Sequence, residues 1–232
     1  MPPRVSVIIP TKDRPHFLRE AVATVFAQEN ADLELLVVND GEDVPQLPKD
    51  NRLRILQNGK RGAVSARNFG LAEARGEYVA FLDDDDRWID RNHLSRALAS
   101  LRTDSDFTFA DGLMQFPNEP APRQFNRDAT TRSLEQDNTI LISAVCYRRD
   151  LHRELGCFDE ALPYYWDWDW YIRVARGGFA LKHVAKIVVD IRIHAQNMSG
   201  DATREARKAN LDAIAAKHGL GPLTLKNHTD FV

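Results

Sequence analysis

Tyr78-Val79-Ala80-Phe81-Leu82-Asp83-Asp84-Asp85-Asp86 is the stretch on which the fold of this chain turns. An apolar run of this length, opened by Gly76 and closed by charge, predicts a buried strand over Tyr78 to Leu82. The strand empties into four adjacent aspartates. Close like charges near a protein surface repel by as much as ~4 kcal/mol per pair. A hydrated turn tolerates this with distorted pKa values. A hard divalent cation removes it, because oxygen ligands suit Mg²⁺ and Mn²⁺. An acidic run by itself reads as a solvated loop; the hydrophobic strand behind it puts a cation site on an equal footing.

Outward from this stretch, strand alternates with helix. Val5 to Ile9 is a β-branched run stopped by Pro10. Phe17, Leu18, Ala21, Val22, Val25 and Phe26 have helical spacing, with Pro15 near the start. Leu33 to Val38 predicts a second strand, ended by Asn39-Asp40-Gly41, and Leu53 to Leu56 a third. Ala63 to Ala74 and Arg91 to Leu101 predict helices, the first stopped by Gly76. Such alternation implies an α/β fold with a mainly parallel sheet covered by helices. Ligands bind beyond the carboxyl ends of strands in such sheets. Thr11-Lys12-Asp13, Asn39-Asp40 and the aspartate run all stand there. Beyond residue 105 the pattern loosens. Phe107 to Phe116, Thr139 to Tyr147 and Ile187 to His194 predict strands. Trp168 to Arg176 and Thr203 to His218 predict helices. Pro117 to Asp137, with its prolines and polar residues, predicts a long mobile loop. No internal repeat or low-complexity tract interrupts the chain.

Further side chains carry chemistry. Asp40 follows a strand and can accept hydrogen bonds from a nucleobase or ribose, although Asn-Asp-Gly is also a turn signal. Tyr164 to Tyr171 is dense in aromatics, which form either core or a platform for sugar rings. Its two aspartates differ. Asp169 has Arg173 four residues on, a favourable helical pair, and reads as structural. Asp167 has no such partner and lies between Trp166 and Trp168, where partial desolvation would make it a better base; it also suits a helix N-cap. His194 ends a strand and enters the polar run Ala195-Gln196-Asn197-Met198-Ser199, and a lone histidine there carries little by itself.

Taken together, in order along nearly the whole chain, these residues resemble the inverting family 2 glycosyltransferases of the GT-A fold, a Rossmann-like three-layer architecture. Val5 to Thr11 resembles the family's opening strand, Arg67-Asn68 with Gly70 its Arg-Asn-x-Gly helix, and Phe81-Leu82 with the aspartates and Trp88 its DxD strand exit. Gly156-Cys157-Phe158-Asp159-Glu160 is similar to its Gly-x-Phe-Asp-Glu segment. Asp167 falls on the aspartate of its Glu-Asp pair, with Trp166 where the family has Glu. The resemblance implies one domain, with a nucleotide-sugar half over 1–104 and an acceptor half over 105–232. It implies donor contacts at Pro10, Thr11, Asp13, Asp40, Arg67, Asp83 and Asp84, and Mn²⁺ or Mg²⁺ on Asp85 and His194. It implies an acceptor site at Trp166 and Trp168, and Asp167 as base for attack of a hydroxyl on a sugar linked to a nucleoside diphosphate, with UDP as the assumed carrier. The acceptor would be a glycan, a lipid-linked sugar or a small molecule. Asp84 and Asp86 offer a second register for the DxD pair.

Composition narrows the alternatives. The 232 residues are 43% hydrophobic and 28% charged, with a net charge of -3, which disfavours nucleic acid as a partner. Two cysteines, Cys146 and Cys157, fit neither a disulfide framework nor a zinc site. No run has the length of a membrane span or a signal-peptide core, so the expectation is a cytoplasmic protein that meets a membrane only at its surface. A haloacid-dehalogenase-type phosphatase also carries Asp-x-Asp after a strand but wants Thr or Val where Arg87 and Trp88 stand. A pyrophosphorylase needs a Gly-rich loop where Pro10 to Pro15 stands. A non-catalytic sugar-binding module of the same fold has no need to keep Asp85, Asp167 and His194 together.

Overall fold

A computed structural model describes residues 3–43, 46–59, 62–194, 197 and 203–230. In chain order the first half runs β1 (Val5–Thr11), α1 (Pro15–Phe26), β2 (Leu33–Asn39), β3 (Leu53–Gln57), α2 (Ala63–Glu73), β4 (Tyr78–Phe81), β5 (Arg87–Trp88) and α3 (His93–Leu101). The second half runs β6 (Phe107–Gln115), β7 (Arg123–Phe125), α4 (Thr131–Leu134), β8 (Val145–Arg148), α5 (Leu151–Leu155), α6 (Trp166–Arg176), β9 (Leu181–Arg192) and α7 (Arg204–His218). The strands form one sheet in the order β3-β2-β1-β4-β8-β6-β9-β5, with β7 paired to β6.

Each residue of β1 and β2 is buried. Strands covered on both faces read as continuous apolar runs, which is why their β-branched stretches carry no polar alternation. Successive side chains still point to opposite faces. Ile8, Leu36, Val38, Val79 and Phe81 therefore pack into one core with α2, α6 and α7. Val7, Ile9, Leu35, Val37, Ala80 and Leu82 pack into the other with α1 and α3. Helix α1 starts with Pro15 at its first turn and buries Leu18, Ala21, Val22 and Val25, the i, i+3, i+4, i+7 stripe. Helix α2 lies close against β1, because a Cβ on Gly70 would stand 2.6 Å from Ile8 Cγ2.

The expected α/β layering is present, with one correction. Pairing is parallel for β1 with β2 and β4, β2 with β3, and β6 with β9. It is antiparallel for β8 with β4 and β6, β5 with β9, and β6 with β7. The sheet is mixed: the expected parallel pairing makes its longest ladders, and the correction is the short antiparallel ladders that join it. Parallel neighbours need a crossover of a dozen or more residues, usually helical. The connection from β6 to β8 holds β7, the four-residue α4 and a 3₁₀ turn but no long helix to cover a parallel crossover, and β8 pairs antiparallel.

Several boundaries also move, and β9 starts at Leu181 instead of Ile187 and ends at Arg192, so His194 stands just past the strand. Thr139 to Tyr147 is not one strand: a 3₁₀ turn over Ile142–Ala144 precedes β8. Pro117 to Asp137 contains β7 and α4. Helix α6 begins at Trp166, with Tyr165 as N-cap, so Asp167 sits in its first turn and does not cap it. Cys146 is buried, Cys157 is exposed, and neither is paired. No helix among the described residues is long and apolar enough to cross a membrane.

Candidate active site

The carboxyl ends of β1, β2 and β4 open into a cavity of about 610 Å³. Pro10, Thr11, Asp40, Arg67 and all of Asp83 to Asp86 line it, together with Trp166, Asp167 and Trp168. The sheet brings the sequence candidates together, as strand ends must in this topology. His194 stands just outside the lining, against Asp85, and Asp13 stands apart. Asp13 is exposed, stands outside the lining in the left-handed region (φ 55°), and packs on Gly41, where a Cβ would come within 2.4 Å of its Oδ1.

The aspartate turn closes with a hydrogen bond from Asp86 N to Asp83 O, 3.1 Å. Its side chains diverge. Asp83 pairs with Arg67. Asp84 accepts from Thr11 Oγ1 at 2.7 Å and from Arg14 Nη1 at 3.3 Å. Asp85 Oδ2 takes Arg14 Nη1 at 2.7 Å and lies 3.0 Å from His194 Nε2. Asp86 accepts from Ser143 Oγ at 2.6 Å. Asp84, Asp85 and Asp86 are 5%, 6% and 4% exposed, too little for water to screen their repulsion fully. Burial pushes Asp84 up to about 6, against the pull of Thr11 and with the push of Asp85. Burial, then the charges of Asp85 and Asp83, raise Asp86 well above the carboxylate range.

Asp83, Asp85 and Asp86 each offer one oxygen, all within 4.8 Å of one another. Those oxygens, with the imidazole of His194 against Asp85, are a donor set that fits a hard divalent cation. The sequence offers Asp86 only as part of a second register for the pair; the structure puts its oxygen beside those of Asp83 and Asp85. Of the polar loop after His194, only Asn197 lies within the described residues; Ala195, Gln196, Met198 and Ser199 lie outside them.

On the β2 side, Asp40 is 8% exposed and already engaged. Both its oxygens accept from Gly62 N at 3.0 Å, and Oδ1 accepts from Asn58 Nδ2 at 2.8 Å. It ties the end of β2 to the start of α2. Arg67 donates through Nη1 to Ala63 O at 2.9 Å, and its guanidinium lies 4.4 Å from the Trp166 ring centroid. The ion pair and the ring fix its plane at the cavity wall.

Next to Arg67, α6 presents its first turn to the cavity. Asp167 accepts from Asn138 Nδ2 at 3.0 Å, and burial raises its pKa. Trp166 and Trp168 line the cavity but are buried. Trp166 meets Phe158 edge to face, and Trp168 Nε1 donates to Leu134 O at 2.6 Å. They are walls of the site, not exposed sugar platforms; the half-buried rings are those of Tyr164 and Tyr165. Asp169 is fully buried and surrounded by Arg173, Lys217 and His218 at 3.0, 2.8 and 2.8 Å. Burial alone would raise it, but these partners outweigh that and hold it at about 2. Arg14, Asn138 and Ser143 escape a reading of the sequence, because each meets its partner only across the folded chain.

Comparison with known proteins follows this geometry. The model of glycosyl transferase family 2 matches residues 6–155. The chain belongs to that family. A Bacillus subtilis protein described as the uncharacterized glycosyltransferase YwdF is 32% identical over 242 aligned positions, covering 97% of this chain and 87% of that one. The GalNAc(5)-diNAcBac-PP-undecaprenol beta-1,3-glucosyltransferase of Campylobacter jejuni is 34% identical, over 60% of this chain and 46% of its own length. Among solved structures, residues 1–349 of S. aureus TarS in complex with UDP-GlcNAc superpose with a TM-score of 0.72 at 19% identity, covering 92% of this chain and 66% of that one. A mannosyltransferase from Pyrobaculum calidifontis, in complex with GDP-Man and Mn²⁺, gives 0.64 at 19% identity, covering all of this chain and 67% of that one. These likenesses show the GT-A fold. This family 2 glycosyltransferase carries Asp40, Arg67 and the aspartates inside the matched residues, and Asp167 and His194 beyond them.

Proposed function

We propose that this glycosyltransferase uses a divalent cation and a UDP-linked sugar to glycosylate an acceptor hydroxyl with inversion at the anomeric carbon. One observation carries the reading: the acidic turn Asp83 to Asp86 and the carboxylate of Asp167 line the same cavity. A donor diphosphate held at the first would leave the sugar directed at the second.

Asp85 and His194, with Asp83 and Asp86 close by, would hold Mn²⁺ or Mg²⁺. Bound there, the cation neutralises charge on the departing nucleoside diphosphate. Arg67 does the same from the protein side. Asp167 takes the acceptor proton as the hydroxyl oxygen attacks the anomeric carbon and the bond to the diphosphate breaks. Its raised pKa suits a base working near neutrality. Pro10, Thr11 and Asp40 would face the nucleoside, with Thr11 orienting Asp84. Asp13, exposed and outside the cavity lining, has the weakest geometric case for a donor contact. In this reading, residues 1–104 bind the donor and 105–232 the acceptor. The Mn²⁺ and UDP-GlcNAc complexes of the structural neighbours support the choice of ion and carrier for testing.

The test is a panel of UDP-, GDP- and dTDP-sugars with Mn²⁺, with melting temperature and sugar-nucleotide hydrolysis as readouts. Stabilisation by UDP-sugars, hydrolysis lost in EDTA and restored by Mn²⁺ are expected. Full activity in EDTA overturns the metal, and selective stabilisation by another nucleotide overturns UDP.

A further inference from the structure

The proposed base needs one free oxygen in a fixed direction. Asp167 has two side-chain torsions, and the second, between sp³ and sp² carbons, is intrinsically loose. Asn138 removes that looseness by donating from Nδ2 to Asp167 Oδ2 at 3.0 Å. Both residues line the cavity.

The orientation of the Asn138 amide has a cost. A carboxylate only accepts, so the NH₂ end must face it. That turns Oδ1 to a buried place where no protein group meets it. A buried polar atom without a partner is destabilising, and the fold tolerates one here to keep the contact with Asp167.

The segment that carries Asn138 is itself tied to α6. Leu134, fully buried in α4, accepts from Trp168 Nε1, and Asp137 pairs with Lys226. The residues just before Asn138 are therefore anchored, Leu134 to α6 through Trp168 and Asp137 to Lys226 beyond α7. The amide of Asn138 is also the right chemistry. It orients a carboxylate without adding a positive charge, whereas the cations around Asp169 lower that carboxylate's pKa.

We propose that Asn138 is the positioning residue of the base: beside the backbone N–H of Trp168, its amide engages Oδ2 of Asp167 and turns Oδ1 toward the acceptor proton. This rests on the reading of Asp167 as base. The test compares Asn138→Ala and the shape-filling Asn138→Leu, each also in the Asp167→Asn background. The probe is the sugar nucleotide that most stabilises the protein, hydrolysed with Mn²⁺ so that water stands in for the acceptor. A misdirected base is expected to lower kcat by roughly tenfold to a hundredfold. KM for the donor should stay within about twofold, and there should be no further loss in the Asp167→Asn background. Parent kcat in a folded Asn138 variant, beside a dead Asp167→Asn, overturns this inference alone. An equal loss in both backgrounds, or failure of both Asn138 variants to fold, makes Asn138 a structural residue and also overturns it. An Asp167→Asn that works at the parent rate removes the base and this inference together.

Discussion

Two of the places where the chain buries carboxylates, Asp84 to Asp86 and Asp169, treat them in opposite ways. At Asp83 to Asp86 the acids outnumber the cations, and the neighbouring charges push Asp86 further up. At Asp169 one acid meets Arg173, Lys217 and His218, and its pKa falls to about 2. The second arrangement is complete without a ligand and joins α6 to the end of α7. The first is electrostatically incomplete, which is what a cation or a ligand bearing hydrogen-bond donors would relieve. A surplus of buried charge marks where something binds, and a balanced one marks scaffold.

The strongest way to break this contrast is Asp85→Ala. It should cost about a thousandfold or more in transfer, the scale of several kcal/mol of lost transition-state stabilisation, while circular dichroism shows an intact fold. Activity close to the parent would make the aspartate turn an ordinary acidic loop.

Asp167→Asn comes next. Loss of a positioned base should lower kcat by roughly 10²–10⁴-fold and leave donor affinity, read by calorimetry, and melting temperature in place. Asp169→Asn sharpens the comparison from the other side. Leaving Arg173 and Lys217 around a neutral amide should destabilise by about 3 kcal/mol in urea unfolding, with residual activity in the folded fraction. If Asp169→Asn is dead yet fully stable, the roles of the two aspartates are reversed.

The same residue has a pH signature. A carboxylate lowered from 3.8 to about 2 adds stability that is present above its unfolded pKa and lost as pH falls through the folded one. The stability gap between the parent and Asp169→Asn should therefore narrow by roughly 2 kcal/mol between about pH 4 and pH 2. A gap that stays constant would mean that packing, not charge, makes Asp169 important. The smallest effect is expected at Asp40→Ala: about tenfold weaker nucleoside diphosphate binding by calorimetry. Because Asp40 also holds Gly62 and Asn58, a drop in stability with unchanged affinity would reduce it to a tie between β2 and α2.

The two halves of the chain were unequally legible. In the first, β1, α1, β2, α2 and β4 fall close to where periodicity puts them, because local apolar pattern and stop signals decide them. In the second, the segment before β8 resembles a strand but turns as 3₁₀. Its Ser143 hydroxyl donates to Asp86, 57 residues away in sequence, and also accepts from Asp83 N. Asp169 could be read as structural from its i,i+4 arginine, but Lys217 and His218 could not, since they arrive with α7.

The sequence by itself determined the β-branched runs, the strand that ends in aspartates, and hence a candidate ligand site at the carboxyl ends of strands in an α/β sheet. These depend on neighbours a few residues apart, where side-chain period and steric limits act. Only the tertiary structure decided that β8 runs antiparallel, that His194 meets Asp85 across 109 residues, and that Asn138 orients Asp167 across 29. Those contacts are made by packing, which matches shapes and charges wherever the chain brings them together, and no periodicity in the sequence encodes which distant partner that will be.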